Sequence, residues 1–205
     1  MNSEIVSFKQ RVKNEAIKNA KLYKQNFIDY EYLICSKAFE NGYHIIKADS
    51  SNYLHLIGVH TKLSPKDFFN KCINEDLEES DFNFEKPGKT EKSVKGSVRE
   101  KISVLPHMVN IFQKELFAQD DFKKNIVECA FATTDNILTL GFVTSGRPKS
   151  LLKGNKLKEN FKPVDLIFSK IRDDKSNFDK IIYGEKNKIR EYRNIEKLIS
   201  SNLIK

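Results

Sequence analysis

Two histidines flank a glycine in residues 52–61, which read Asn-Tyr-Leu-His-Leu-Ile-Gly-Val-His-Thr. His55 stands between two leucines, so apolar side chains anchor the backbone while the imidazole is left to point elsewhere. An unperturbed histidine titrates at about pH 6.5, which suits a general base or acid at neutral pH. The alternative is that His55 is an ordinary, partly buried histidine of a short helix and that His60 lies on the surface.

A cationic loop over residues 144–154 is the second candidate. It mixes glycine, hydroxyl and basic residues after a predicted strand, and such a loop can bind phosphate through backbone N–H groups and cations. Between positions 147 and 162 the single acid Glu159 is outnumbered by six basic residues: Arg147, Lys149, Lys153, Lys156, Lys158 and Lys162. This one-sided run favours an anionic partner, although a solvated loop can have the same composition.

A helix predicted over about residues 91–114 carries the third cluster. Helical spacing places Lys92, Lys95 and Arg99 on one face, with Lys89 before the helix and Lys101 further along it. An ordinary solvent-exposed helix face explains the same spacing. The two remaining histidines, His44 in a predicted strand and His107 after Pro106, are interpreted as structural.

Several catalytic signatures are missing from the sequence, among them the Walker loop, GxGxxG, HExxH, paired CxxC and GxSxG. We therefore expect no cofactor and no metal. The remaining histidine, cations and hydroxyls are the inventory of a metal-independent ribonuclease. In that reaction a base deprotonates the 2′-hydroxyl, cations stabilise the phosphorane, and an acid protonates the leaving 5′-oxygen.

The composition sets the broad class of the protein. The net charge of +8 points to an anionic partner, but a lysine-rich genome composition would explain the total equally well. Fifteen phenylalanines and seven tyrosines can build a core although 31% of the residues are charged. Cys35, Cys72 and Cys129 are widely spaced, which predicts buried, reduced thiols. The sequence shows no signal peptide and no membrane span, so we expect a soluble, cytoplasmic protein.

The periodicity predicts an α+β fold, with N-terminal helices packed on a mostly antiparallel twisted sheet. We expect one domain over residues 1–205: a basic helix over 1–28, with Ser3 as its cap, a core over 29–185, and a basic C-terminal helix over 186–205. The predicted helices cover residues 3–28, 50–59, 64–77, 91–114 and 186–200. The predicted strands cover residues 30–36, 43–48, 126–133, 137–143, 164–171 and 180–183, with an acidic loop over 75–85 and a basic loop over 144–163.

The order of several short motifs resembles a known family. A hairpin leading to Asn-Tyr-Leu-His-Leu-Ile-Gly-Val is followed by Ser-Pro-Lys-Asp-Phe-Phe, Arg-Glu-Lys-Ile, Leu-Gly-Phe and Pro-Lys-Ser-Leu. This order resembles the phage-associated nucleases of the barnase–EndoU–colicin–RelE superfamily, most of all their fourth class, over residues 28–185. The resemblance implies a RelE-like sheet and metal-free RNA cleavage, often in phage or toxin effectors. Its catalytic positions would be His55, Arg99, Lys101, Arg147 and Ser150.

The leading hypothesis is an endoribonuclease that leaves a 2′,3′-cyclic phosphate. His55 would act as base or acid with His60 as its counterpart, cations would hold the phosphate, and Ser150 would donate a hydrogen bond. The further predicted RNA contacts are His60, Lys89, Lys149, Lys153 and Lys156. Expected partners are RNA, with tRNA and mRNA as candidates, and a cognate inhibitor protein. The alternatives are a non-catalytic nucleic-acid-binding or phage-encoded inhibitor protein, and a peripheral membrane protein anchored by the first helix.

Overall fold

The computed structural model describes residues 6–158 and 160–204, and within them helices at the N-terminal side pack on an open antiparallel sheet. The helices are α1 (Phe8–Tyr23), continued by a π-helical turn (Lys24–Ile28), α2 (Tyr53–Ile57), α3 (Pro65–Asn74) and α4 (Glu91–Met108). The strands are β1 (Tyr30–Ser36), β2 (Tyr43–Ile46), β3 (Phe117–Lys124), β4 (Val127–Thr134), β5 (Leu138–Phe142), β6 (Pro148–Lys153), β7 (Lys162–Ile171) and β8 (Lys180–Tyr183). The predicted α+β class is confirmed.

The sheet runs in the order β2-β1-β7-β3-β4-β5-β6, and β8 also pairs with β7. The pairings between these strands are all antiparallel. Strand β7 organises the sheet because one of its edges pairs with β1 along the strand. Its other edge pairs with β3 at its beginning and with β8 towards its end.

Aromatic side chains hold the helices of the helical layer to one another. Tyr53 of α2 lies with its ring 5.0 Å from Tyr23 of α1 and 5.3 Å from Phe69 of α3. Its buried hydroxyl donates a hydrogen bond to the carbonyl oxygen of Ala16 at 2.7 Å. Helix α2 is therefore fixed between α1 and α3 although it has only five residues.

The other face of the sheet is covered by the C-terminal segment. A separate buried cluster joins Leu33 and Phe168 of the sheet to the C-terminal side chains Ile189, Tyr192 and Ile195. The segment forms short 3-10 turns over Lys186–Glu191, Arg193–Ile195 and Ser201–Leu203. The predicted C-terminal α-helix over residues 186–200 is therefore wrong.

The sheet curls so that the turn between β5 and β6 contacts β2, at the opposite end of the strand order. The amide of Lys47 donates to the carbonyl oxygen of Gly146 at 3.1 Å. A Cβ at Gly146 would lie 1.9 Å from the carbonyl oxygen of Ile45, and the residue has φ +77°, so glycine is needed at this contact. The β5–β6 turn is thereby placed beside the segment that follows β2 and carries His55.

The predicted helices at residues 50–59, 64–77 and 91–114 are confirmed, with ends a few residues from those expected. The Ser3 cap lies outside the described residues, and the described helix begins after Ser7, whose hydroxyl accepts from Gln10 N. The predicted loop over residues 144–163 is wrong, because it contains β6 and the start of β7. Strand β3 was not predicted. The three cysteines are buried and unpaired, as expected.

Candidate active site

A cleft of about 350 Å³ opens between the segment around α2 and the β5–β6 turn. It brings together three of the predicted site residues, His55, Arg147 and Lys149. The residues that line it are Ser51, Asn52, His55, Pro65, Val143, Arg147, Pro148 and Lys149. No carboxylate is among them, so the permanently charged groups of the lining are cations, and Pro65, Val143 and Pro148 add apolar surface.

His55 is presented to this cleft by a short, well-capped helix. Asp49 accepts from the amide of Ser51, and Asn52 Oδ1 accepts from the amide of Asp49, each at 2.9 Å. These bonds start the turn that leads into α2. Leu56 and Ile57 are buried in the core while His55 is exposed, so the helix turns its apolar side inward and the imidazole outward.

Lys101 of α4 supports the His55 segment from the side of the helical layer. Its ammonium donates a hydrogen bond to the carbonyl oxygen of His55 at 2.6 Å. The pKa of Lys101 is lowered to about 8, mainly by burial and further by the positive charges of Lys86 and Lys89. Three cations thus lie close to one another, although like charges repel.

The pKa of His55 is lowered from its usual value of 6.5. Loss of water around the ring is the main cause, and the positive charges of Lys101 and Lys86 add to it. A pKa below 6.5 leaves most of the imidazole unprotonated at pH 7, so the ring can accept a proton. An anionic ligand in the cleft would be attracted by the same cations that keep the ring unprotonated.

The opposite wall of the cleft is the tight turn between β5 and β6. The amide of Val143 donates to the carbonyl oxygen of Arg147 at 3.0 Å, and the amide of Gly146 donates to that of Val143 at 2.8 Å. Arg147 is exposed, and its Nε donates to the Ser145 hydroxyl at 3.2 Å. Among the described residues no carboxylate pairs with Arg147, so its guanidinium can bind an anion with its remaining donors.

Lys149 occupies an irregular position in the same wall. The register between β5 and β6 shifts at Gly141 and Phe142, where Gly141 pairs with Ser150 and Phe142 with Pro148. This shift leaves Lys149 as the extra residue of a bulge. Its ammonium donates to the carbonyl oxygen of Glu128 at 2.6 Å, and its side chain also lines the cleft.

Other predicted site residues lie away from this cleft. Arg99 lies over the Phe8 ring, 5.0 Å from its centroid, in a groove between α1 and α4. Ser150 is buried at 7% exposure and faces the neighbourhood of Gly141 and Cys129. Lys153 is at the opposite end of β6 from Arg147, and Lys156 follows it.

The two remaining predicted residues lie on either side of the His55 segment. His60 has an exposed side chain, and its backbone pairs with Asn83 through two hydrogen bonds of 3.0 and 2.8 Å. Lys89 forms a turn with Lys86, which is half-buried and close enough to influence both His55 and Lys101. Lys86 was missed because the Lys-Pro-Gly-Lys sequence predicts only a turn, without indicating what the turn contacts.

Another histidine, His44, makes a defined contact but is not among the residues that line this cleft. His44 Nε2 lies 2.7 Å from Asp120 Oδ1, and its ring stacks on Phe131 with the ring centroids 4.0 Å apart. The other carboxylate oxygen of Asp120 accepts from the amide of Glu40 at 2.8 Å. This cluster joins β2 to β3 across the curled sheet.

Helices packed on an open antiparallel sheet, with a cationic histidine-bearing cleft where the two meet, define an α+β protein suited to bind a phosphodiester. The chain matches the family model described as phage-Barnase-EndoU-ColicinE5/D-RelE like nuclease4 over residues 17–201, and it belongs to this family. The resemblance predicted from the motifs is confirmed. No curated protein and no solved structure gives a significant match.

The family match, over residues 17–201, is longer than the expected 28–185 and includes the C-terminal part of α1 and the first two C-terminal turns. The match therefore extends beyond the expected range at both ends, into residues 17–27 and 186–201, while residues 3–16 of the predicted first helix lie outside it. Membership in this family makes the protein a phage-associated type of nuclease, with nucleic acid as its substrate. No helix within residues 6–158 and 160–204 has the length and apolar character needed to cross a membrane. The same residues contain no group of three or more His, Cys, Asp or Glu side chains arranged to hold a metal ion.

Proposed function

We propose that this nuclease is a metal-independent endoribonuclease that attacks the phosphodiester with the neighbouring 2′-hydroxyl. The observation that supports it best is the position of His55. This neutral imidazole shares a cleft with Arg147 and Lys149, and its backbone is held by Lys101. The cleft therefore combines a proton acceptor for the 2′-hydroxyl with cations that can stabilise the phosphorane.

In the proposed reaction His55 acts as the general base. It removes the proton of the 2′-hydroxyl while the 2′-oxygen bonds to phosphorus and the bond to the 5′-oxygen breaks. The leaving oxygen takes up a proton from water or from a protonated amine at the cleft. The products are a 2′,3′-cyclic phosphate and a free 5′-hydroxyl.

The cations have separate roles in this proposal. Arg147 binds the non-bridging phosphate oxygens through its fork of donors, and Lys149 adds a second positive charge. Lys101 acts as a positioning residue because it holds the His55 carbonyl, and its charge adds to the effect of burial in lowering the imidazole pKa. Lys89, Lys153 and Lys156 contact the RNA strand outside the cleft, and Arg99, Ser150 and His60 have no assigned step.

The proposal extends to the setting of the reaction. A phage or toxin effector that acts in the cytoplasm on tRNA or mRNA, restrained by a cognate inhibitor protein, fits the cationic cleft and the phage-associated family. Salt dependence of binding would show that phosphate contacts dominate the affinity for RNA.

The direct test is cleavage of a labelled single-stranded RNA in EDTA. We expect the wild type to cleave. His55→Ala should cleave about 10²–10⁴-fold more slowly because a general base is lost. Arg147→Met should cleave about 10²–10³-fold more slowly because a phosphate-binding cation is lost. His107→Ala and Lys124→Met, which alter exposed residues outside the cleft, should cleave at the wild-type rate. Tight, salt-sensitive binding without any cleavage would replace the nuclease proposal with a nucleic-acid-binding function.

A further inference from the structure

A second pocket lies at the C-terminal end of α4, away from the His55 cleft. It is about 170 Å³ in volume and lies between the start of β1, the end of β7, β8 and the turn after α4. Its lining includes the aromatic side chains of Tyr30, Tyr32 and Phe112. None of the described residues that line it is an aspartate or a glutamate.

The aromatic wall of this pocket is graded from buried to exposed. Phe112 is 3% exposed, Tyr32 is 7% exposed and Tyr30 is 37% exposed. The rings of Tyr32 and Phe112 are 4.3 Å apart, and that of Tyr30 lies 6.4 Å from Tyr32. The Tyr32 hydroxyl donates to the carbonyl oxygen of Asn26 at 2.5 Å, which fixes the inner ring. The outer ring of Tyr30 therefore offers surface on which a planar group can stack.

The polar groups of the pocket are mainly neutral amides. Asn26 Nδ2 donates to Asn110 Oδ1 at 3.1 Å. This bond does not use the amide nitrogen of Asn110 or the amide oxygen of Asn26. The Gln113 side chain and the Ser169 hydroxyl provide further donors and acceptors at the pocket. Lys180, exposed and opposite Ser169 in the β7–β8 register, is the cation at this pocket.

We propose that this pocket binds one nucleobase of a single-stranded nucleic acid. Tyr30 stacks on the base, the amides of Asn110 and Gln113 hydrogen-bond its polar edge, and Lys180 faces the adjoining phosphate. Aromatic side chains and neutral amides are the groups that proteins use for unpaired bases. A pocket for phosphate alone would instead be lined mainly by cations. The inference deepens the proposed function by giving the substrate strand a contact apart from the scissile bond.

The experiment uses an oligonucleotide that cannot be cleaved through a 2′-oxygen, so that binding is measured independently of catalysis. A labelled 2′-O-methyl single strand is titrated with the full chain, and Kd is followed by fluorescence anisotropy. Tyr30→Ala should weaken binding about 5- to 100-fold, as expected for one lost stacking contact. Tyr30→Phe, which retains the ring, should bind within about threefold of the wild type.

The matched control is Phe161→Ala, because Phe161 is also 37% exposed but does not line the pocket. It should bind like the wild type. Asn110→Ala, an exposed position whose substitution spares the strands, should weaken binding if the pocket holds a base. Equal affinity of the wild type, Tyr30→Ala and Asn110→Ala would overturn the proposal.

Abasic strands identify the ligand more closely. A strand with a single abasic site at the contacted position should bind the wild type weakly, and the Tyr30→Ala variant should no longer distinguish it from the intact strand. A different result would be that free nucleoside monophosphates compete with the strand at micromolar concentration, and only when Tyr30 is intact. That result would assign the pocket to a free nucleotide and overturn its role in holding the strand. If the wild type did not cleave RNA in EDTA, the proposed reaction would be refuted, but these binding measurements would still test the pocket.

Discussion

Lys101 and His55 are joined by a hydrogen bond from the lysine ammonium to the histidine carbonyl oxygen, at 2.6 Å. The bond links α4 to the short helix that carries the proposed base. The same lysine lowers the pKa of the His55 ring, after the larger effect of burial. One side chain therefore affects both the position and the protonation of His55.

Removing the Lys101 charge should raise the pKa of His55. In Lys101→Met the ring loses a repelling cation, so it should hold its proton to a higher pH, and the acidic limb of the cleavage profile should move up with it. Lys86→Met should cause a smaller shift in the same direction. An NMR titration of the His55 ring measures both. Identical midpoints in the wild type and Lys101→Met would contradict this account of the site, and Lys124→Met serves as the control.

Lys101 should also make stability depend on pH. Its folded pKa of about 8 lies below the unfolded value of about 10.4, so below pH 8 both states hold the proton and the folded state carries the cost of the buried charge. Between about pH 8 and 10.4 the unfolded chain binds more protons than the folded one, and stability relative to Lys101→Met should rise with pH. Urea unfolding of both proteins at pH 7, 8.5 and 10 tests this. If the free energy of unfolding of the wild type, relative to Lys101→Met, stayed constant or fell as the pH rose, the Lys101 ammonium would not be buried as described.

Gly58→Ala should destabilise the site through the backbone. Gly58 ends α2 with φ +87°, and a Cβ there would lie 2.9 Å from Lys101 Cδ. We expect the free energy of unfolding to fall by about 1–2 kcal/mol, the cost of a left-handed residue with a side chain. Gly96→Ala is the control, because Gly96 lies inside α4 with nothing within 4 Å of its Cβ position. The free energy of unfolding of Gly96→Ala should rise by about 0.5–1 kcal/mol. If both variants were destabilised alike, the effect of Gly58→Ala could not be assigned to its left-handed backbone.

His44→Ala should weaken the link between β2 and β3. The variant loses the hydrogen bond to Asp120 and the stacking on Phe131, so we expect unfolding free energy to fall by about 1–2 kcal/mol. His107→Ala, at an exposed position near the end of α4, should change it by less than about 0.5 kcal/mol. Chemical denaturation measures both, and equal stability of the two variants would remove the proposed cross-link.

The helices could be predicted because each has a local signal. Ser64 and Pro65 mark the start of α3, and the Ser64 hydroxyl accepts from Asp67 N at 3.1 Å as a helix cap should. The helical turn before Gly58 was predicted from similar signals. His55, Arg147 and Lys149 could also be singled out, because a histidine between leucines and a cationic run are visible in the sequence.

Strands β3 and β6 lacked such signals. Strand β3 contains Asp120, Asp121, Lys123 and Lys124, and its polar run resembles a loop. Strand β6 begins with a proline and lies in a basic stretch, and its partner β5 supplies the pairing that defines it. In both, the strand state depends on neighbours that are distant in sequence or not apparent from composition.

The C-terminal segment shows how tertiary packing selects a different helical period. Its buried residues Ile189, Tyr192 and Ile195 are spaced by three, the repeat of a 3-10 helix, and all three face the back of the sheet. Lys188 and the Tyr192 hydroxyl both bind Asp165 of β7, which anchors the segment. The sequence alone could not reveal Asp165 as that anchor. Nor could it show that Arg99 and Ser150 lie outside the cleft, since their directions depend on α1 and on the sheet register.

Attack by the 2′-hydroxyl can be tested with a DNA oligonucleotide that contains one ribonucleotide, incubated with the wild type in EDTA. We expect a single cut on the 3′ side of that ribonucleotide and a 2′,3′-cyclic phosphate on the upstream product. No cut should occur when the sugar is 2′-deoxy or 2′-O-methyl. His55→Ala should lose this cleavage while His107→Ala retains it. Cleavage of the all-DNA strand, or equal cleavage by His55→Ala and the wild type, would contradict the proposed reaction.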